Sequence, residues 1–153
     1  MELYLVQHGE AKRKTEDPQR PLTGRGRDEV QRVAAFAART GLKVSQVRHS
    51  GKRRAEETAS ILAEHLSPSE GVLAVPGLDP MDDVRPIAQA LQKETAPLML
   101  VGHLPFMDRL AGLLVTSNQD CSVVRFRMGG IVCLEGEGDD WAIRWVLTPE
   151  LVA

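Results

Sequence analysis

Two short, uninterrupted apolar runs constrain the fold of this chain more than any other feature. Residues 3–6 (Leu-Tyr-Leu-Val) and 98–101 (Leu-Met-Leu-Val) are too short for helices and are typical of strands buried on both faces of a sheet. A histidine follows each run two residues later, His8 after the first and His103 after the second. Ligands of open α/β sheets bind beyond the carboxyl ends of the strands, so the sequence predicts that these histidines share a site.

Helical patterns alternate with the predicted strands. Thr23 is the predicted N-cap of the first helix, and Gly41 is its stop signal. The predicted helical faces cover residues 30–37, 55–66, 84–91 and 107–114, and the predicted strands cover residues 3–6, 44–49, 72–75, 98–101, 123–127, 131–134 and 142–147.

This order of elements predicts the fold class. Strand–helix alternation is typical of an α/β fold, here a three-layer sandwich with a mostly parallel central sheet. The turn Gly136-Glu137-Gly138-Asp139 separates the last two predicted strands and indicates an antiparallel C-terminal edge. The length of 153 residues fits one domain, so we expect residues 1–153 to form a single domain.

Composition excludes several classes of protein. The chain carries 19 Lys and Arg against 21 Asp and Glu, a net charge of −2 that argues against a non-specific nucleic-acid binder. The two cysteines, Cys121 and Cys133, form no Cys-x-x-Cys pair, which favours a reducing compartment. No apolar run approaches the roughly 18 residues of a membrane span, and no signal-peptide pattern is present. We expect a cytoplasmic protein without a membrane or nucleic-acid partner.

The remaining residue patterns favour anion chemistry over metal chemistry. None of the histidines has a zinc-type spacing, and no Gly-x-Ser-x-Gly nucleophile motif occurs, so we expect neither metal nor cofactor. Arg54 lies near the start of a predicted helix, where the helix dipole favours an anion. Taken alone, the run Lys52-Arg53-Arg54 is typical of a solvated basic turn. His49 ends another predicted strand, and the sequence leaves open whether it enters the same site.

Four sequence blocks resemble the signature of the histidine phosphatase (phosphoglycerate mutase-like) superfamily. They keep the order of that family and extend from Gln7 to Pro105. The short length, with no inserted helical lid, is most similar to the SixA-type phosphohistidine phosphatases. The resemblance implies the histidine phosphatase fold. The blocks are Gln7-His8-Gly9, Leu22-Thr23-x-x-Gly26, Ser50-x-x-x-Arg54-Ala55-x-x-Thr58-Ala59 and Gly102-His103-Leu104-Pro105.

The resemblance also implies roles for individual residues. His8 is the expected nucleophile, which takes the phosphoryl group as a phosphohistidine that water then hydrolyses. Arg54 and His103 are expected to act with it and to stabilise charge on the transferred group, without a metal. The implied phosphate-binding set is Gln7, His8, Arg20, Arg54 and His103.

Two positions depart from the family pattern. Gln7 stands where the family has arginine, and Gly51 stands where proline is usual. A hydrogen bond to a charged group contributes about 1.5–3 kcal/mol, so loss of one cation lowers affinity or rate by roughly ten- to hundredfold. Lys12, Arg13 and Arg20 are the candidates to replace the missing charge, and the sequence does not select among them.

The leaving group favours one substrate class. Residues 79–83 supply the carboxylates Asp79, Asp82 and Asp83, and we take Asp82 and Asp83 as candidate general acids or as caps of the following helix. Imidazole, with a pKa near 6.5, leaves more easily than an alcohol and needs an acid less. We therefore expect phosphohistidine on a protein, such as a phosphotransfer domain, as the substrate. The alternatives are a small-molecule phosphomonoesterase and a phosphate-binding module weakened catalytically by Gln7.

Overall fold

Strands and helices alternate through most of the chain. The computed structural model describes residues 1–153. The strands are β1 (Glu2–Gln7), β2 (Gln46–His49), β3 (Val72–Ala74), β4 (Leu98–Gly102), β5 (Ile131–Glu137) and β6 (Asp140–Leu147). The helices are α1 (Gly24–Arg39), α2 (Arg53–Leu66), α3 (Arg85–Leu91) and α4 (Phe106–Thr116), followed by a short 3-10 helix (Pro149–Val152).

All six strands form one sheet in the order β3-β2-β4-β1-β5-β6. β1 is central, because it pairs in parallel with β4 and in antiparallel orientation with β5. β2 pairs in parallel with both β3 and β4, and β6 closes the other edge as an antiparallel hairpin with β5. The predicted mostly parallel sheet with an antiparallel C-terminal edge is confirmed.

Two hydrophobic cores lie on opposite faces of this sheet. Leu3 and Leu5 of β1 pack with α3 and α4. Tyr4 and Val6 point to the other face and pack with α1 and α2. Since helices cover both faces, a central strand needs an apolar residue at every position, which explains the uninterrupted run. The predicted three-layer sandwich is confirmed.

The start of α1 explains the Leu-Thr-x-x-Gly block in physical terms. Thr23 is the N-cap, and its Oγ1 accepts a hydrogen bond from the N–H of Gly26 at 2.9 Å. Gly26 itself lies against the backbone of Glu10, so that a Cβ at this position would overlap the Glu10 carbonyl oxygen. This close approach fixes the loop after β1 to the beginning of α1.

The prediction of a strand over residues 123–127 is wrong. This segment is irregular, because β1 already has two partners and β6 covers the free side of β5. Its apolar side chains Val123, Val124 and Phe126 pack instead against the core around α4. Arg127 holds the segment to α1 through a 2.7 Å ion pair with the buried carboxylate of Glu29.

No helix of the protein combines the length and the apolar character that crossing a membrane requires.

Candidate active site

His8 lies directly after β1 and is buried. Its backbone N–H donates a hydrogen bond to the carbonyl of Gly102 at 3.0 Å, which continues the pairing of β1 with β4. The side-chain Nδ1 lies 2.7 Å from the carbonyl oxygen of Gly9. A carbonyl only accepts hydrogen bonds, so Nδ1 carries the proton and Nε2 keeps its lone pair.

His103 follows β4, the parallel neighbour of β1, and the structure brings the two predicted histidines together. Their ring centroids are 5.1 Å apart with an interplanar angle of 52°. Ser50 Oγ lies 2.6 Å from Nε2 of His103, whereas the buried Nδ1 of His103 has no hydrogen-bond partner within the chain. Ser50 is the first residue of the third block of the resemblance, but no role was predicted for it from the sequence.

Arg54 is the second residue of α2, and its buried Nε also has no partner within the chain. The hydroxyl of Thr58 donates to the Arg54 carbonyl at 2.8 Å and accepts from the N–H of Gly9 at 3.0 Å. The two hydrogen bonds of Thr58 hold the start of α2 against the loop that carries His8. No pattern in the sequence predicted this contact. An unpartnered guanidinium nitrogen beside two histidines suits an anion.

Of the three candidates for the missing charge, Lys12, Arg13 and Arg20, only Arg20 acts electrostatically on the histidines. Its charge lowers the pKa of both His8 and His103, and neither Lys12 nor Arg13 has such an effect. Arg20 has a φ of 49°, and its Nε donates to the carbonyl of Lys12 at 3.0 Å. The backbone conformation of Arg20 and the hydrogen bond of its side chain therefore both orient the guanidinium.

Burial and the surrounding cations keep both histidines neutral. Burial, reinforced by the charges of Arg54 and Arg20, lowers the pKa of His8 to about 4. Burial also lowers the pKa of His103 to about 3, with further contributions from His8, Arg54, Lys52 and Arg20. At neutral pH both rings are uncharged, which is the form that a nucleophile requires.

His49, the last residue of β2, stabilises the loop that follows this strand. Its Nδ1 accepts a hydrogen bond from the N–H of Gly51 at 3.0 Å, and burial lowers the pKa of the ring. Gly51 has a φ of 90°. Proline is confined to a φ near −65° and has no N–H, so it fits neither this backbone conformation nor this hydrogen bond. The departure from the family pattern at position 51 thus has a local structural cause.

Gln7, the other departure, makes no side-chain hydrogen bond within the chain. Its carbonyl oxygen accepts from the N–H of Gly129 at 2.9 Å, and its Cα pairs with Gly102 of β4. Gln7 thus adds no charge to the histidine pair. Its predicted contact with phosphate stays a prediction.

Both candidate general acids, Asp82 and Asp83, accept hydrogen bonds from residues close to them in the sequence. Asp82 Oδ2 accepts from the N–H of Asp79 at 2.9 Å. Asp83 is exposed and accepts from the N–H of Arg85, the first residue of α3, but the N-cap of this helix is Val84, so the expected capping role of Asp82 or Asp83 is wrong. Hydrogen bonds from Arg85 lower the pKa of Asp83, which makes it a poorer proton donor. The charge of Asp79, by contrast, acts on Arg54 and raises its pKa, against the lowering by burial.

Elsewhere in the chain, no group of three or more His, Cys, Asp or Glu side chains is placed to hold a metal ion.

Comparison with known proteins identifies the family. The sequence model of the histidine phosphatase superfamily (branch 1) matches residues 3–82, more than half of the chain. The chain therefore belongs to the histidine phosphatase superfamily, whose members are phosphatases. An uncharacterized protein of Picosynechococcus sp. is 37% identical over an alignment of 113 residues, which covers 69% of this chain and 67% of that protein.

Solved structures show the same fold at low sequence identity. The protein histidine phosphatase SixA complexed with tungstate matches over 100% of both chains, with a TM-score of 0.89 and 23% identity. The alpha-ribazole phosphatase from Shigella flexneri matches over 97% of both chains, with a TM-score of 0.79 and 16% identity. The fold of this protein is thus SixA-like, and proteins with the same fold are named for different substrates.

Proposed function

We propose that this protein is a metal-independent phosphohydrolase that dephosphorylates phosphohistidine on a protein. The observation that carries the proposal is the arrangement of His8. Its Nδ1–H is held by the Gly9 carbonyl at 2.7 Å, which leaves Nε2 available beside His103. A neutral imidazole fixed in one tautomer is a preorganised nucleophile.

The reaction proceeds in two displacements at phosphorus. In the first, Nε2 of His8 attacks the phosphoryl group, and the phosphorus–nitrogen bond to the substrate imidazole breaks. That imidazole leaves with the electron pair and takes a proton from solvent. In the second, water attacks phosphorus, the bond to Nε2 breaks, and the water proton passes to solvent. The products are inorganic phosphate and neutral His8.

Protein cations stabilise the transferred group. Arg54 and Arg20 both act electrostatically on the histidine pair, and the Nδ1 of His103 and the Nε of Arg54 lack partners within the chain. Preorganised charge of this kind stabilises the oxygens of a phosphoryl group in transit. In this proposal Arg20 supplies the charge that the family pattern places at position 7, where this chain has Gln7.

The identity of the leaving group supports phosphohistidine as the substrate. Asp83 pairs with Arg85, and Asp82 accepts a hydrogen bond within its own turn, so both carboxylates already have partners outside the histidine pair. An imidazole leaving group needs a proton donor less than an alcohol does. A small-molecule phosphomonoesterase is the second candidate, favoured by Asp79, whose charge acts on Arg54.

A trapping experiment tests the nucleophile and the absence of a metal requirement. The protein is incubated briefly with phosphoramidate in the presence of EDTA and quenched in alkali. We expect an acid-labile phosphoryl group on His8, located by peptide mass spectrometry, and turnover that EDTA does not reduce. Near-wild-type turnover of His8→Ala, or loss of activity in EDTA, contradicts the proposal.

Two neighbouring arginines provide a matched comparison. Arg54→Ala should lose about ten- to hundredfold more activity than Arg53→Ala, by the contribution of a hydrogen bond to a charged group. Arg53 is occupied elsewhere, since its Nη1 donates to Gln19 at 2.7 Å and its guanidinium pairs with Glu57. Equal losses in the two variants show that Arg54 does not bind the phosphoryl group.

A further inference from the structure

A basic cavity adjoins the candidate active site. It has a volume of about 440 Å³, and none of its lining residues is acidic or hydrophobic. Arg20 and Arg54, which act on the histidine pair, both line the cavity, so it lies next to the site that holds His8. The cationic side chains that line this basic cavity are Lys14, Arg20, Lys52, Arg53 and Arg54.

Apart from Arg20 and Arg54, which act on the histidines, two of these cations form no ion pair in the chain. Lys14 and Lys52 form no ion pair with any carboxylate. Arg53, by contrast, is engaged by Gln19 and Glu57. Lys14 and Lys52 are therefore available to an external anion.

No acidic residue lines the basic cavity, although the loop after β1 carries Glu16 and Asp17. Glu16 Oε1 accepts from the N–H of Arg13, and Asp17 Oδ1 accepts from the N–H of Gln19. These carboxylates stabilise the loop itself. Although the whole chain has a net charge of −2, this part of the surface is positive.

Exposed apolar side chains occur on two other loops of the site. Leu104, 39% exposed, directly follows His103. Met81, 71% exposed, is two residues from Asp79, whose charge acts on Arg54. Exposed methionine is, together with arginine, enriched in surfaces that contact another protein.

We propose that the basic cavity binds acidic side chains of the phosphoprotein substrate, next to its phosphohistidine. The inference rests on the proposed function, because a phosphohistidine bound at His8 is what places the neighbouring side chains of the substrate at the basic cavity. Lys52 acts electrostatically on His103, so a phosphoryl group seated at the histidines also attracts Lys52, whereas it leaves Lys14 without a counter-charge. A carboxylate close to the phosphohistidine supplies that counter-charge and selects substrates with acidic surroundings.

Two synthetic phosphohistidine peptides test the inference. They have the same sequence except that glutamates flank the histidine in one and glutamines in the other, and both are phosphorylated with phosphoramidate. We expect the wild-type protein to hydrolyse the glutamate peptide with a KM about fivefold lower, and this preference to weaken as salt is added. Lys14→Glu should abolish or reverse the preference. Lys43→Glu should retain it, because Lys43 lies between α1 and β2, at the opposite end of the strands.

Each outcome separates this inference from the proposed function. Hydrolysis of both peptides with equal KM, or a preference that survives Lys14→Glu, overturns the docking of acidic side chains and leaves the phosphatase activity intact. Stronger inhibition by diphosphate than by the glutamate peptide also overturns it, in favour of a small diphosphate ligand. If neither peptide is hydrolysed, the proposed function fails. Fluorescence anisotropy of both peptides with His8→Ala then measures the same preference without turnover.

Discussion

At the scale of single residues, Arg20 adopts a backbone conformation that few arginines adopt. Its φ of 49° lies in the left-handed region, which costs roughly 1–2 kcal/mol for a residue other than glycine. The hydrogen bond from its Nε to the Lys12 carbonyl holds the side chain, and its charge reaches both histidines. Residues kept in such conformations cluster at functional sites. This strain is consistent with a role for Arg20 in place of the arginine missing at position 7.

A double substitution tests that replacement. Arg20→Ala should lower kcat/KM for phosphoramidate by about ten- to hundredfold, since one cation near the phosphoryl group is lost. Gln7→Arg, added to Arg20→Ala, should restore a large part of this loss, because it returns the charge to the position where the family has it. Phosphate release gives both rates.

Arg13→Ala is the control for a change of charge in the same loop, and we expect little effect. If the double variant is no faster than Arg20→Ala alone, residue 7 does not face the phosphoryl group. Full activity of Arg20→Ala shows instead that the site needs no replacement cation.

The sequence predicted the histidine pair but not the position of this cation. His8 and His103 follow apolar strands that pair in parallel, so their proximity follows from the order of the elements. The choice of Arg20 over Lys12 and Arg13 depends on one backbone angle and one hydrogen bond inside an irregular loop. Such details have no periodic signal in the sequence.

At the scale of secondary structure, the start of α1 shows how a glycine connects an element to the site. Gly26 is buried against the backbone of Glu10, two residues beyond His8. Gly24, also in the first turn of α1, has no atom within 4 Å of the place where a Cβ would lie. The two glycines therefore differ in packing while they share a helix.

Replacing each glycine by alanine measures that difference. Gly26→Ala should lower the free energy of unfolding by about 1–3 kcal/mol, since an added methyl group must displace the Glu10 backbone. Gly24→Ala should leave it unchanged or raise it by up to about 1 kcal/mol, because alanine has the higher helix propensity. Urea unfolding of both variants checks this, and equal effects would exclude close packing as the reason for Gly26.

Helices and strands with a clear pattern of apolar residues were predicted correctly. The strand predicted over residues 123–127, which has no such pattern, was not. Helix α1 and strands β1 and β4 agree with their patterns because one face, or both faces, must be buried. Residues 123–127 are as apolar as an edge strand, yet the sheet has no free edge for them beside β5. Local composition carries no information on which edges are already occupied.

At the scale of the whole molecule, three buried histidines connect stability to pH. Burial lowers the pKa of His8, His49 and His103 in the folded protein, whereas an unfolded histidine has a pKa near 6.5. Below pH 6.5 the unfolded chain binds protons that the folded protein does not bind until about pH 4, for His8. The free energy of unfolding is therefore greatest above pH 6.5 and falls as the pH decreases towards 4.

Urea unfolding at pH 7 and pH 5 measures this dependence. We expect a lower free energy of unfolding at pH 5, by on the order of 1–2 kcal/mol for each of His8 and His103. His8→Asn should reduce the difference between the two pH values. A difference that is the same in the wild-type protein and in His8→Asn attributes the pH dependence to other groups.

The central position of β1 has a consequence for synthesis of the chain. Leu3 pairs with Leu98 on one side and with Leu134 on the other, so β1 emerges from the ribosome long before either partner. At about 5–20 residues per second, the delay before β4 is made is roughly 5–20 seconds. During that time an apolar strand has neither of its neighbours and is a natural target for chaperones. The pair of His8 and His103 forms only late in translation, and a nascent chain that stops before β4 contains His8, Arg20 and Arg54 but lacks His103.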